Sequence, residues 1–474
     1  MRTAVTAILL ALSTTTTVIA VAALPVYDDK TGKLEPLFFV TIALWVLFAL
    51  AVLAVRRVQG RAVVVLVLAG SLAIGVAAMT GPPNTSTDSA RYAWDGIVQN
   101  AGISPYSYVP TDPALAHLRT DWLFPEANPD GSCPGRPIME SKEPASDTVV
   151  CTAINRGTVP TIYPPASEIV FAAVRFIVGP DAEYWPLQLL GLLTSLAVTA
   201  LLLRLLHRRD LPLYWAAAWG WCPLVATEGV TNSHIDIVAA LLVVAATALV
   251  ASGKRWRGGA ALGVAIVAKL IPVIAAPALL GRRPLVVIAA SVAVFALLYV
   301  PYIVSDGIGV LGYLPGYLSE EGYESGNRFI LASMIAPGFA STVIVGVLVL
   351  ITAVLVWRKT DPDSPWLGQL AMIGVTLIVV SPRYPWYALL LVPMIVMTGR
   401  WEWFAVPLAL TYRFLVPSLD IARLLLAVAI VIIATATIKR SGPGFLSRVL
   451  DELRHPLRAA QRPEFGNGTV TERH

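Results

Sequence analysis

Four polar residues recur in the segment TDSARYAWDG at residues 87–96. They are Asp88, Arg91, Tyr92 and Asp95, at positions i, i+3, i+4 and i+7. On an α-helix this spacing places the four side chains on one face. Such a face is either a solvated surface or a site, where a carboxylate can accept a proton from a hydroxyl group. The spacing leaves both interpretations open.

A second group of polar residues lies inside or beside apolar segments. His234 and Asp236 stand two residues apart, so on a helix they would diverge by about 200° and would not grip one atom together. Asp236 either caps a helix or, like His234, contacts a ligand. Lys269 lies within an apolar block, where a lysine is costly and therefore usually functional. It either pairs with an acid, closes a cavity or braces a turn.

Arginines and aromatic residues complete the set of candidates. Arg383 and Arg328, the latter next to Asn327, could each hold an anionic ligand with a guanidinium group. The two arginines could equally extend from helix ends toward the membrane surface. Trp386 and Tyr387 either stack on a ligand or belong to an interfacial aromatic belt.

The composition identifies the surroundings in which these residues act. Of 474 residues, 56% are hydrophobic and 14% are charged, whereas soluble domains carry about 25% charged residues. The apolar residues form long blocks, which predicts a protein embedded in a lipid bilayer. The 35 Lys and Arg, against 30 Asp and Glu, cluster in short loops. Such loops orient a membrane protein and do not indicate a nucleic-acid partner.

The lengths of the apolar blocks predict the topology. A spanning helix needs about 20 apolar residues. Twelve blocks of about this length run over residues 3–24, 36–55, 62–80, 185–204, 212–227, 233–252, 284–304, 340–357, 365–382, 385–399, 401–416 and 419–438. If they alternate, the basic loops share one side, and Lys and Arg mark the cytoplasmic side. We therefore predict an all-α polytopic membrane protein with about twelve transmembrane helices.

Two blocks have special interpretations. Residues 258–281 have basic loops at both ends and Pro272 near the middle. This pattern predicts a re-entrant helical hairpin that protein shelters from lipid. Residues 3–24 form either an uncleaved anchor helix, which we favour, or a signal peptide with AVA at 20–22 as its cleavage site.

The longest polar segment, residues 81–184, is predicted to be external. Its Cys133 and Cys151 form either a disulfide in an oxidising compartment or two free thiols. Residues 166–181 are too short to span and predict an interfacial helix along the outer leaflet. The chain then divides into the first three transmembrane helices (1–80), the external catalytic loop (81–184), the remaining transmembrane helices with the hairpin (185–440) and a cytoplasmic tail (441–474).

Several motifs together resemble the actinobacterial polytopic mannosyltransferases of the GT-C superfamily. They are D-x-x-R-Y-x-W-D-G from residue 88, G-x-x-P-Y-x-Y-x-P from residue 102, TIYPP at 161–165, NSHID at 232–236, AKLIP at 268–272 and PWY at 385–387. The resemblance implies a GT-C-like fold. In such enzymes an acidic residue of the first large external loop is the catalytic base, which implies this role for Asp88, with Asp95 as the second candidate. It also implies that Arg91, Tyr92, Tyr163 and Asn327 bind substrate. Lys269, Arg328 and Arg383 would then meet the lipid phosphate, His234 and Asp236 the sugar or the acceptor, and Trp386 and Tyr387 a sugar or the prenyl chain.

The activity implied by the resemblance is membrane glycosyl transfer. A hexose, with mannose expected, would pass from a polyprenyl-phosphate donor to a glycolipid or cell-envelope glycan on the extracytoplasmic face. One carboxylate suffices for such a single displacement. Two alternatives stay open: an arabinofuranosyl (pentose) transferase of the same fold, and a secondary transporter with broken helices at mid-membrane. We expect no cofactor, and because the sequence has neither H-E-x-x-H nor a zinc-type cysteine pair, it names no metal ligands and leaves metal dependence open.

Overall fold

The computed structural model describes residues 1–27, 35–144, 146 and 148–442, which are mostly helical. The helices are α1 (Arg2–Val18), α2 (Pro36–Val55), α3 (Arg61–Ala77), α4 (Asp88–Asn100), α5 (Pro165–Val178), α6 (Trp185–Arg208), α7 (Ala217–Gly220), α8 (Asp236–Ala251), α9 (Arg255–Ala268), α10 (Pro284–Asp306), α11 (Leu314–Glu320), α12 (Phe339–Lys359), α13 (Trp366–Val380), α14 (Val392–Thr398), α15 (Ala405–Leu415) and α16 (Leu419–Ser441). From residue 443 onward, the predicted cytoplasmic tail lies outside the described residues.

Within the described residues, six helical segments are long and apolar enough to cross a membrane. They are Arg2–Ala23, Pro36–Val55, Trp185–Arg208, Pro284–Glu320, Phe339–Lys359 and Leu419–Ser441. Val225–Thr231 and Asp236–Ala251, bent by 112° relative to each other, give a seventh if they count as one broken span. The helical membrane class agrees with the prediction, but the number of twelve spans is not confirmed.

Several of the predicted spans are short or interrupted helices inside the protein. Residues 212–227 contain a 3-10 turn, α7 and the start of a π-helical turn, and 401–416 contain a 3-10 turn followed by α15. Trp219 in α7 is fully buried and donates from Nε1 to the carbonyl of Ser195 at 3.1 Å. Because protein surrounds α7, whose four residues are all buried, the backbone breaks beside it are tolerated. Hydropathy alone does not separate such buried pieces from lipid-facing spans.

The block predicted as a re-entrant hairpin contains α9 and then a break. Lys269 has an extended backbone and ends the helix, and two 3-10 turns follow at Ile271–Ala275 and Pro277–Leu279. The helix therefore ends four residues before Pro272, which lies in the first turn after the break. The position of this block in a bilayer stays a prediction.

The polar segment (residues 81–184) contains α4, α5 and a small antiparallel sheet. Strands β1 (Met139–Lys142) and β2 (Val149–Thr152) pair with Met139 opposite Thr152. A disulfide joins Cys133 to Cys151, 18 residues later. The strand pair and the disulfide together fix the loop that follows β2.

Helix α5 covers most of the segment predicted as an interfacial helix. One side of α5 packs on α4, and its Glu168 and Arg175 are buried. Phe176 and Ile177 at its end are 83% and 81% exposed, which suits contact with lipid. The orientation of α5 along a leaflet stays a prediction.

We expect the disulfide to stabilise the polar segment. In the chain-entropy view, closing a loop of this length contributes about 3 kcal/mol. The double variant Cys133→Ser, Cys151→Ser should therefore lower the melting temperature in detergent and speed proteolysis between residues 133 and 156. A control, Cys222→Ser, changes a buried free cysteine outside this segment. If the double variant melts and is cleaved like the wild type, the disulfide has no such role.

The contact between α4 and α5 depends on a glycine. A Cβ on Gly96 would lie 2.4 Å from the carbonyl oxygen of Phe171, so Gly96→Ala should separate the helices and cost about 1–3 kcal/mol. The matched control is Gly346→Ala in α12, where nothing lies within 4 Å of the added Cβ. That change should be neutral or slightly stabilising. Melting temperatures in detergent compare the two, and equal effects would contradict this account.

Candidate active site

A cavity of about 990 Å³ lies where the polar segment meets the helix bundle. Its walls come from the start of α4, the residues after β2, the break after α9, α11, α13 and the PWY segment. Seven of the candidates from the sequence line it: Asp88, Arg91, Tyr163, Lys269, Arg328, Trp386 and Tyr387. Residues far apart in the sequence therefore meet at one concave surface.

Asp88 is the first residue of α4 and reaches the cavity wall. Its Oδ1 accepts a hydrogen bond from Asn155 Nδ2 at 2.6 Å, and its Oδ2 lies 3.5 Å from His234 Nδ1. Burial alone would raise the pKa of Asp88. The charges of His234 and Lys269 and the Asn155 hydrogen bond outweigh burial and hold the pKa below its usual value. Asp88 is therefore an ionised carboxylate at neutral pH.

The polar face of α4 is not solvated. Arg91, Tyr92 and Asp95 are all less than 5% exposed. Arg91 Nε donates to Asp95 Oδ1 at 2.9 Å, and its Nη1 donates to the carbonyl of Val159 at 3.0 Å. The solvated-surface alternative is therefore wrong, because α5 and the segment before it cover this face.

Asp95 lies behind the cavity wall, next to the carboxyl group of Glu168. Glu168 in α5 accepts from Thr161 Oγ1 at 2.8 Å and from Gln99 Nε2 at 2.9 Å. Burial, and then the nearby charge of Asp95, raise the pKa of Glu168 well above its usual range. Arg91 is the counter-charge of Asp95 in this buried group. Asp95 does not line the cavity, unlike Asp88, and its role as second candidate for the base stays a prediction.

Lys269 forms the charged end of the break after α9. Its Nζ lies 3.0 Å from Asp236 Oδ2 and over the rings of Tyr163 and Tyr387, at 5.4 and 5.7 Å from their centroids. It also lines the cavity. Lys269 therefore pairs with an acid and forms part of the cavity wall at the same time, which combines two of its three interpretations.

His234 and Asp236 serve different partners. His234 precedes α8, faces Asp88, and stacks on Trp386 with ring centroids 3.7 Å apart. Asp236 begins α8 and faces Lys269. Neither lines the cavity, since both lie directly behind groups that do.

A second cationic group lines the opposite part of the cavity. Arg328 pairs with Glu321 and lies over the ring of Tyr323, 5.0 Å from its centroid. Arg156 donates from Nε to Glu320 at 2.9 Å. Each guanidinium group thus has a carboxylate partner, Glu321 outside the cavity lining and Glu320 within it.

Three other candidates do not line the cavity. Tyr92 is fully buried, stacked on Phe171 at 4.4 Å and edge-on to Tyr163 at 4.8 Å, so it supports the wall from behind. Asn327 and Arg383 are exposed residues outside the lining. Their proposed contacts with substrate have no support from their positions.

Sequence reasoning missed Asn155 and the role of Glu228. Asn155 precedes Arg156, whose φ of 54° is in the left-handed region that non-glycine residues rarely adopt. No sequence motif marks Asn155, because the β1–β2 pair and the disulfide determine where it lies. Glu228 Oε2 lies 3.3 Å from His234 Nε2, a contact made by an irregular π-helical turn that sequence periodicity does not predict.

Two comparisons with known proteins found similar sequences. Residues 161–382 match the model of "Glycosyltransferase family 87". The chain is 26% identical over 244 residues to a polyprenol-phosphate-mannose-dependent alpha-(1-2)-phosphatidylinositol pentamannoside mannosyltransferase of Mycolicibacterium smegmatis. This alignment covers 47% of the present chain and 57% of that relative, so the match spans little more than half of the relative's length. No solved structure matches the chain.

The region matched by the family model includes Tyr163, Asp236, Lys269 and Arg328, which meet at the cavity or directly behind its wall. The matched region is just under half of the chain. Taken with the membrane-crossing helices, these findings show a glycosyltransferase that is similar to family 87 over residues 161–382.

Proposed function

We propose that the protein transfers a mannosyl residue from a polyprenyl-phosphate donor to a hydroxyl group of a glycolipid or cell-envelope glycan on the extracytoplasmic face. The position of Asp88 carries this proposal: an ionised carboxylate on the wall of a large cavity that also has cations and an apolar part. The name of the mycobacterial relative supports the donor class.

The role of Asp88 is that of general base. An acceptor hydroxyl is a weak nucleophile, and a positioned base contributes about 10²–10⁴-fold to the rate. The lowered pKa of Asp88 keeps it deprotonated but makes it a weaker base. This suits an oxocarbenium-like transition state, in which the hydroxyl proton leaves late. One displacement then inverts the anomeric centre, so a β-linked donor gives an α-linked product.

Lys269 is our candidate for the leaving phosphate. Its ammonium group lines the cavity while Asp236 holds it from behind at 3.0 Å. As the bond from the anomeric carbon to the phosphate oxygen breaks, negative charge develops on the phosphate. A fixed cation stabilises that charge without reorganising. Arg328, at the other cationic group, is the second candidate.

The apolar part of the cavity suits a prenyl chain. Leu270 and Ile271 follow Lys269, and Leu377 and Val380 of α13 lie on the same lining. A lipid phosphate bound at Lys269 would therefore have apolar side chains beside its first isoprene units. A solute carried by a transporter would not need this combination.

Trp386 cannot present a ring face to a sugar. His234 covers one side at 3.7 Å and Tyr384 the other at 4.5 Å, both nearly parallel to the indole. We therefore assign sugar contacts to Tyr387 and Tyr317, which line the cavity and whose hydroxyl groups are 3.1 Å apart.

Asp88→Asn tests the proposed base. We expect transfer from polyprenyl-phosphate mannose to a membrane glycolipid extract to fall by about 10²–10⁴-fold, because asparagine cannot accept the proton. The matched control, Asp121→Asn, changes an exposed acid of the same polar segment that does not line the cavity, and should keep full activity.

The same assay separates the alternatives. Transfer from a pentose donor, and none from a mannose donor, would favour the arabinofuranosyl transferase. Full activity of Asp88→Asn would overturn the base assignment. Solute uptake into proteoliposomes without any transfer would favour the transporter.

Lys269→Met should affect both stability and catalysis. Removing one partner leaves Asp236, which is 1% exposed, without its counter-charge, and breaking a buried pair costs about 3–5 kcal/mol. Adding Asp236→Asn should restore most of the melting temperature in detergent, whereas transfer should stay low because the cation for the phosphate is gone.

The control for this pair is Arg282→Met. Arg282 forms an exposed ion pair with Asp363 at 3.2 Å, and such pairs contribute at most about 1 kcal/mol. If the double variant at 269 and 236 regains both stability and activity, Lys269 has only a structural role.

A further inference from the structure

His234 lies between two carboxylates. Its Nδ1 is 3.5 Å from Asp88 Oδ2 and its Nε2 is 3.3 Å from Glu228 Oε2, while the ring is fully buried. Neither ring nitrogen makes a well-aligned hydrogen bond within the described residues. Buried polar atoms without a close partner are uncommon and call for an explanation. The arrangement is an acid–imidazole–acid chain that starts at the cavity and leads into the protein.

We propose that His234 and Glu228 are positioning residues that keep Asp88 ionised and aimed at the acceptor hydroxyl. This inference rests on the proposed role of Asp88 as the base. An ionised carboxylate only accepts hydrogen bonds, so a ring between two carboxylates is fully used when both of its nitrogens carry protons. Glu228 then balances the imidazolium, and Asp88 keeps its own negative charge.

Hydrogen bonds of the turn that carries Glu228 and His234 hold these side chains next to the segment before Asp88. His234 N donates to the carbonyl of Glu228 at 3.0 Å, which closes the turn that carries both side chains. Asn232, in the same turn, accepts from the backbone N–H groups of Asn84 and Thr85 at 3.1 and 3.0 Å. The separation between the imidazole and Asp88 is therefore set by backbone contacts.

The other groups around the chain are consistent with a cationic ring. Trp386 stacks on His234 at 3.7 Å, and an indole face attracts a cation. Lys269 and Arg156 also act on Asp88 and, like His234, favour its charged form. With Glu228 on the far side, the charged groups that face the chain are thus two acids, His234 and two further cations.

The chemical step balances with this assignment. The acceptor oxygen forms a bond to the anomeric carbon, and its proton passes to Asp88. The bond from that carbon to the donor phosphate oxygen breaks, and the electron pair stays on the phosphate. The imidazolium does not take the proton from Asp88; after product release, Asp88 gives it to water in the cavity.

The test is the pH dependence of mannosyl transfer, measured as kcat and KM with polyprenyl-phosphate mannose and a glycolipid extract. In Glu228→Gln the ring loses one of its two acids, so the pH profile of activity should no longer coincide with that of the wild type. In His234→Asn the acid limb, set by Asp88, should move to higher pH, because Asp88 loses a cation that favours its charged form. KM should change less than kcat in both variants.

A matched control is Thr231→Val. Thr231 is buried in the same turn, and its hydroxyl donates to the carbonyl of Ala78 at 2.8 Å, away from Asp88. A purely structural disturbance of the turn should lower activity equally at every pH. Gel filtration in detergent checks folding, and if His234→Asn does not fold, the isosteric Glu228→Gln decides.

Different results would overturn this inference and the proposed function. If Asp88→Asn is inactive and the pH profiles of Glu228→Gln and His234→Asn coincide with the wild type, the inference is overturned and the base assignment stands. If Asp88→Asn stays active, the base assignment is overturned together with this inference, and if the wild type transfers no mannose, the proposed function is overturned.

Discussion

The site depends on the pairing of charges that are withdrawn from water. A buried charge is strongly unfavourable unless an opposite charge or several hydrogen bonds compensate it. Lys269 has Asp236 at 3.0 Å, Arg91 has Asp95 at 2.9 Å, and Arg328 has Glu321. In each pair a cation lines the cavity and its carboxylate lies behind it. These pairs hold long, flexible side chains in place, which is the preorganisation that electrostatic catalysis requires.

Asp88 is an exception, because here the carboxylate lines the cavity and its compensating groups lie around it. It is an acid on the cavity wall, and groups from three separate parts of the chain compensate it: Asn155 after β2, His234 before α8, and Lys269 after α9. The disulfide and the β1–β2 pair, whose Met139 lines the cavity, hold the loop with Asn155. The polar segment therefore completes a site that the helix bundle alone would leave open.

The sequence predicted the class of the fold and the main members of the site, but not the helix count. Asp88 and Lys269 were predictable because a spaced polar stripe and a lysine in an apolar block are both unusual. The twelve spans were not confirmed, because hydropathy does not distinguish lipid-facing helices from the buried pieces near residues 213–231. Asn155 was missed because its position depends on strand pairing far along the chain, and Arg383 was chosen from a helix-end position that the structure leaves exposed.

The distribution of charge across the cavity wall explains why an anionic lipid suits it. Among the described residues, five cations line the cavity, namely Arg91, Arg136, Arg156, Lys269 and Arg328, against two acids, Asp88 and Glu320. Asp95, Asp236 and Glu321, which compensate three of those cations, lie outside the lining. A phosphate in the cavity would therefore meet ammonium and guanidinium groups first, with their counter-charges further away. The wall would attract the proposed anionic donor, while each of these three cations keeps its own carboxylate partner.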